Sequence, residues 1–175
     1  RQSFEAMLAR AQAAAPQAAC VVLAPPDMAR RPKDCFAELT NQLRKVPDSQ
    51  AAERRNQQHC APDKLLGRAK GKTTYPVRQI RTQAAWLEYL QACTYQTPDT
   101  LATVVQVQRE AALARGCAYF DTFSAMGGAG AMHQWVCDAT RKALYDHVHL
   151  NREGYQTIAE LLWRSLAEAL KPKQP

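Results

Sequence analysis

The residues with the clearest chemical potential are Asp146-His147-Val148-His149-Leu150, which stand directly before Asn151, a residue suited to capping a helix. An aspartate three residues ahead of a loop histidine can hydrogen-bond the ring's Nδ1. That fixes the tautomer and leaves Nε2 free to take a proton from a nucleophile. The same spacing also arises as a plain capping arrangement, so the pair alone leaves both readings open.

Candidate nucleophiles are few. The four serines are Ser3, Ser49, Ser124 and Ser165. Ser3 reads as a helix cap, Ser165 lies inside the last helix, and Ser49 falls in a basic segment. Ser124 opens the loop Ser124-Ala-Met-Gly-Gly-Ala-Gly130, whose amides could cradle an anion. It lacks the G-x-S-x-G elbow, however, and the glycines fit no P-loop or dinucleotide fingerprint. A turn that lets the chain cross the sheet edge explains it better. No cofactor site and no metal site emerge. His59-Cys60 is at most half of one, with no second histidine at ligand spacing.

The elements that must position the pair alternate along the chain. A helix from a Ser3 cap to Ala14 precedes the apolar run Ala19-Cys-Val-Val-Leu-Ala24, which has no alternation, as in a strand buried on both faces of a parallel sheet. Pro25-Pro26-Asp27 stops it. Thr97-Pro98-Asp99 predicts an N-cap with proline at the first helical position, and Gly116 the C-cap. Cys117-Ala-Tyr-Phe-Asp121 reads as a second buried strand. After a short segment around Trp135, Asn151 starts a helix with the stripe Tyr155, Ile158, Ala159, Leu162, Leu166 and Leu170. The layout is α/β with a parallel sheet.

Residues 31–96 break this alternation. They contain four prolines, the basic run Lys64 to Lys72, and one expected helix from Arg81 to Tyr95. They also hold twelve of the 23 Lys/Arg but only six of the 16 Asp/Glu, so the net charge of +7 is concentrated there. Such a segment either favours anionic partners or is simply a solvated excursion. Nucleic acid is the weaker partner, since only Tyr75 is interleaved with the basic residues of Lys64 to Arg81.

Several spaced blocks together resemble the SGNH (GDSL-type) esterases and acylhydrolases. They are Asp-x-Val-His149-Leu with its cap, Glu153-Gly154-Tyr155 and Ile-Ala-Glu-Leu-Leu162, Phe120-Asp121 with Ala125-Met-Gly-Gly128 and Trp135-Val136, and the run Val21 to Asp27. The likeness spans about residues 3–30 and 97–170. It implies a three-layer, flavodoxin-like α/β fold, with His149 as general base, Asp146 as its orienting acid, and His147, at a variable position between them, as a surface neighbour. The family's Gly-Asp-Ser nucleophile block and its Gly-x-Asn-Asp oxyanion block are both missing. The expectation is therefore the carboxyl-terminal part of one SGNH domain over residues 1–175, with 31–96 as a basic, cysteine-containing helical insertion. An absent amino-terminal half would supply the serine and the oxyanion donors, and the start at Arg1 fits a processed or excised piece. The substrate would carry an O-acyl group, such as acetyl on a bacterial carbohydrate. The rival reading is a non-catalytic glycan- or protein-binding fragment that uses the basic insertion.

With 175 residues, 46% hydrophobic and 22% charged, the composition is that of one globular domain and excludes disordered, collagen-like and rod-like chains. No apolar run approaches the ~20 residues of a membrane span. Six cysteines without a C-x-x-C pair suit an oxidising compartment, periplasmic or secreted, better than a redox or zinc motif. Cys20 and Cys117, inside apolar runs, read as free packed thiols. A disulfide is expected between two of Cys35, Cys60 and Cys93, with Cys137 as a further partner.

Overall fold

A computed structural model describes residues 1–43 and 47–171; within the expected spans, 44–46 and 172–175 lie outside the described residues. In chain order the elements are α1 (Gln2–Ala14), β1 (Val21–Leu23), α2 (Ala37–Leu43) and α3 (Asp48–Cys60). A 3-10 turn (Pro62–Leu65), β2 (Gly67–Ala69), β3 (Lys72–Thr74) and α4 (Gln83–Ala92) follow. The chain continues with α5 (Asp99–Ala114), β4 (Ala118–Phe120), α6 (Thr122–Met126), α7 (Ala131–Cys137) and α8 (Arg152–Ala169). These group into two compact units, Arg1–Ala29 with Thr97–Pro175, and Arg30–Gln96.

The first unit is α/β. β1 and β4 pair in parallel, Val22 opposite Tyr119. α1 and α5 cover one face, where Leu8, Val22, Ala112 and Cys117 are buried against Phe4 and Tyr119. Two sequence readings need correction here. Cys20 and Cys117 are not free thiols but a disulfide that joins the residues just ahead of β1 and β4. β1 is also not buried on both faces, because Val21 and Leu23 are 41% and 48% exposed. The cause is alternation: Val22 faces α1 and α5, while Val21 and Leu23 lie on the opposite face of the two-stranded sheet.

Helix caps differ from expectation in two places. Ser3 lies in the first turn of α1, behind an Arg1 cap that makes no side-chain bond. Thr97 does not cap α5. Its hydroxyl instead donates to Asp27 Oδ1 at 2.8 Å, which binds the start of α5 to the loop after β1. At the other end Gly116, at φ +70°, terminates α5 in the left-handed conformation, where a bare Cα is favoured.

The second unit is built differently. Its core is Cys35, Phe36, Leu39, Ile80, Trp86 and Cys93, with Tyr75 and Tyr89 packed on it. Trp86 stacks on Tyr89 at 5.7 Å between centroids, and Phe36 meets both rings edge-on. The Cys35–Cys93 disulfide closes this core, and an antiparallel bridge between Arg30 and Gln96 brings the ends of the unit together. α4 is shorter than the sequence suggested, because Thr82 Oγ1 accepts from Ala85 N–H and so starts the helix. The basic run is not featureless either. β2 and β3 form a hairpin whose Lys70-Gly71 turn takes φ of +50° and +78°, the geometry of a two-residue type I′ connection.

Candidate functional site

The Asp146–His149 loop is held at both ends. Asn151 Oδ1 accepts from Gly154 N–H at 3.0 Å to cap α8, while its Nδ2 donates to the Arg141 carbonyl at 2.6 Å. Ala143 and Leu150 form an antiparallel bridge, and Leu144 N–H donates to the His149 carbonyl at 2.8 Å. The six-residue connection between them is thereby pinched into a tight loop. Gly154 is part of this clamp, because a Cβ there would collide with the Lys142 carbonyl oxygen.

Inside the loop, His147 takes φ +58°, the left-handed conformation that turns the backbone back on itself. Asp146 Oδ1 then accepts from the N–H groups of both Val148 and His149 at 3.0 Å. Its other oxygen, Oδ2, lies 2.6 Å from His149 Nδ1. Partial burial pushes the Asp146 carboxyl up. The bonds from His149 N–H, from the His149 ring and from Val148 N–H, with the attraction of the ring's charge, outweigh that and hold it below the usual carboxylate range. Asp146 is therefore a carboxylate at neutral pH, and the fixed partner of one ring nitrogen. The other nitrogen is open. The His149 side chain is 66% exposed, and Nε2 has no partner among the described residues.

The loop sits where an α/β sheet places its ligand crevice. The chain leaving the carboxyl end of β1 passes Asp27 and reaches Ala29, whose N–H donates to the His147 carbonyl at 3.0 Å. Asp27, read from the sequence as a strand stop, is a fully buried carboxylate. Besides the Thr97 hydroxyl it accepts from Met132 N–H at 2.8 Å, and Thr97 Oγ1 accepts from Gly130 N–H at 2.8 Å. One buried acid thus joins the loop after β1 to the starts of α5 and α7. The preceding prolines signalled a loop, but its partners at 97, 130 and 132 are too distant in sequence for any local pattern to show.

His147 overturns its surface reading. It is completely buried, and its ring stacks on His133 at 5.3 Å between centroids. Its place in the loop is to face inward so that Asp146 and His149 face outward. Of the serines, Ser124 lies in the first turn of α6 rather than in a free loop. Its N–H and hydroxyl both donate to Asp121, the cap of that helix, at 2.9 Å. Ser3 and Ser165 are exposed on α1 and α8, and Ser49 belongs to α3, its side chain outside the described residues. Cys60 is disulfide-bonded, which removes it as a metal ligand. Among the described residues no group of three or more His, Cys, Asp or Glu is placed to hold a metal ion.

No family model matches the sequence, and no curated protein is similar to it. A solved structure entitled "Peptidoglycan O-acetylesterase in action, 5 min" superposes on 96% of this chain with a TM-score of 0.53 and 19% identity. This chain shares its α/β fold with that esterase. It spans 31% of the length of that chain. All six cysteines are in disulfides, which is consistent with an extracellular or periplasmic protein. No described helix is long and apolar enough to cross a membrane.

Proposed function

We propose that this chain carries the acid–base half of a serine ester hydrolase of the SGNH type, acting on an O-acyl group such as an acetyl ester on a bacterial carbohydrate. The observation that supports this most is the His149–Asp146 pair, with Nδ1 held at 2.6 Å and Nε2 open. Shared fold with a peptidoglycan O-acetylesterase supports the reaction class and the carbohydrate.

In this reading a serine hydroxyl, supplied by polypeptide outside these residues, attacks the acyl carbonyl carbon while His149 Nε2 takes its proton. The imidazolium, stabilised by the Asp146 carboxylate, then gives that proton to the leaving alcohol oxygen as the C–O bond breaks. Water attacks the acyl-serine in the same way, His149 again moving the proton, and the acid departs. Asp146 does not take up the proton. It fixes the tautomer and offsets the ring's charge. The reaction so written needs no metal or organic cofactor.

Where the serine comes from is part of the proposal. The exposed apolar side chains of Val21 and Leu23 and the two-stranded sheet favour an amino-terminal half that adds parallel strands beside β1. The disulfides favour maturation in the periplasm or outside the cell.

The test is ester turnover by the complete protein from its native source, assayed on an acetyl ester and on an O-acetylated glycan. His149→Ala should lower kcat by several orders of magnitude, because base and nucleophile act as a unit. Asp146→Asn should lower it less. Full turnover in His149→Ala would overturn the assignment.

A further inference from the structure

The charge of the chain is divided between its units with unusual sharpness. Arg30–Gln96 contains thirteen Lys/Arg and six Asp/Glu, while the remainder contains ten of each. The whole net charge of +7 therefore belongs to the second unit. That unit also contains a cavity of about 330 Å3 between α3, the 3-10 turn and the base of the β2–β3 hairpin. Arg54 and Gln57 from α3, Lys64 from the turn, and Gly67, Thr74 and Tyr75 from the hairpin line it.

We propose that this cavity is a binding site for an anionic sugar, separate from the Asp146–His149 pair. Arg54 and Lys64 form no ion pair among the described residues. The carboxylates of Glu38 and Glu53 accept from Arg78 N–H and Gln57 Nε2, both at 2.8 Å, and neither is paired with Arg54 or Lys64 among the described residues. Two cations without an ion-pair partner at one concavity attract a carboxylate or phosphate, and a guanidinium matches either in a two-pronged bond.

The remaining lining suits a sugar ring. Sugars present an apolar face and a hydroxyl rim. Tyr75, with Leu65 and Pro76, offers apolar surface, while Gln57 and Thr74 offer donors and acceptors. Gly67 keeps the Thr74 hydroxyl uncovered, since a Cβ at 67 would lie 2.7 Å from Thr74 Oγ1. The volume is at the lower end of the roughly 300–1,000 Å3 of small-molecule sites, enough for one or two sugar rings. A single-stranded nucleic acid is a poorer fit, because successive bases need successive aromatic platforms and this cavity has one.

The experiment titrates the whole chain with digalacturonate, glucose 6-phosphate, neutral maltose and hexaglutamate, following backbone amide shifts by NMR. Both anionic sugars should move the Gln57, Thr74 and Tyr75 amides and bind at least tenfold more tightly than maltose; the tighter of the two identifies the anion. Arg54→Gln with Lys64→Gln, both on exposed side chains, should lose that tenfold preference. Lys70→Gln with Lys72→Gln, at the hairpin tip, should change affinity less than threefold. Equal affinity for maltose, an equal loss from the hairpin-tip variant, or tighter binding of hexaglutamate would each overturn the proposal. The last of these would make the site an acidic-peptide receptor.

Discussion

The two units solve the problem of stability in opposite ways. Where α5 lies on β1 and β4, the first buries Leu8, Val22, Ala112 and Cys117, with Ala112 fully covered. The second has only the β2–β3 hairpin, exposed on both strands, and stacks Phe36, Trp86, Tyr75 and Tyr89 around a disulfide. In the first, close backbone approach does the work, so small residues and exact register matter. In the second a few large rings supply the buried area of a larger core. The charge follows the same division, the first unit being neutral and the second carrying every net positive charge.

The contrast is broken most forcefully at the disulfides. Cys35–Cys93 closes a separation of 58 residues and Cys20–Cys117 one of 97. Replacing either pair by alanine should cost about 4 to 5 kcal/mol, with the longer loop at the upper end. Hydrogen exchange locates the loss. The Leu39 and Trp86 amides should lose protection in the Cys35→Ala/Cys93→Ala variant, and those of Val22 and Tyr119 in the Cys20→Ala/Cys117→Ala variant. Loss at the opposite set in either case would show that the cores are not divided as described.

A smaller effect tests the dependence of the first unit on close approach. Gly154→Ala must push α8 away from the Lys142 carbonyl, at a cost of about 2 to 3 kcal/mol, like other overpacked contacts. Because the same carbonyl accepts from Asn151 N–H, the His149 ring should also shift, visible as a changed ring spectrum. Thermal unfolding of the variant within about 0.5 kcal/mol of the parent would contradict the clamp.

How much of this was legible in the sequence depends on how local the cause was. The Asp146–His149 contact and the Asn151 cap are set by neighbours three residues apart, and the pattern shows them. The parallel pairing of β1 with β4 was legible from two apolar runs separated by a helix. The inward turn of His147 was not, because it depends on His133 and on a left-handed backbone that no pattern announces. The Cys20–Cys117 bond was missed because it requires knowing which strands are adjacent. The β2–β3 hairpin had a usable signal in Lys70-Gly71, obscured by the density of lysines around it. Asp27 looked like punctuation because its partners lie 70 to 105 residues away.

The smallest expected effect concerns pH. The Asp146 carboxyl titrates lower in the folded chain than the value near 4 of an unfolded aspartate. Its contribution to stability is therefore complete above about pH 4 and is lost as the pH falls further. Both partners are well exposed, so the amount is below about 1 kcal/mol and shrinks with salt. Asp146→Asn should flatten the acid side of the stability curve by that amount. An unchanged slope, measured by denaturant unfolding between pH 2 and pH 6, would show that the pair carries no such linkage.

In the proposed reading, His149 presents an unprotonated Nε2 because Asp146 holds the proton on Nδ1. Ring 15N NMR of the chain at a pH where His149 is neutral reads this directly. The proton should reside on Nδ1, with Nε2 showing the shift of a bare imidazole nitrogen, and Asp146→Asn should release the ring to a mixture of tautomers. A His149 ring protonated on Nε2 in the unaltered chain, or a tautomer indifferent to Asp146→Asn, would contradict it.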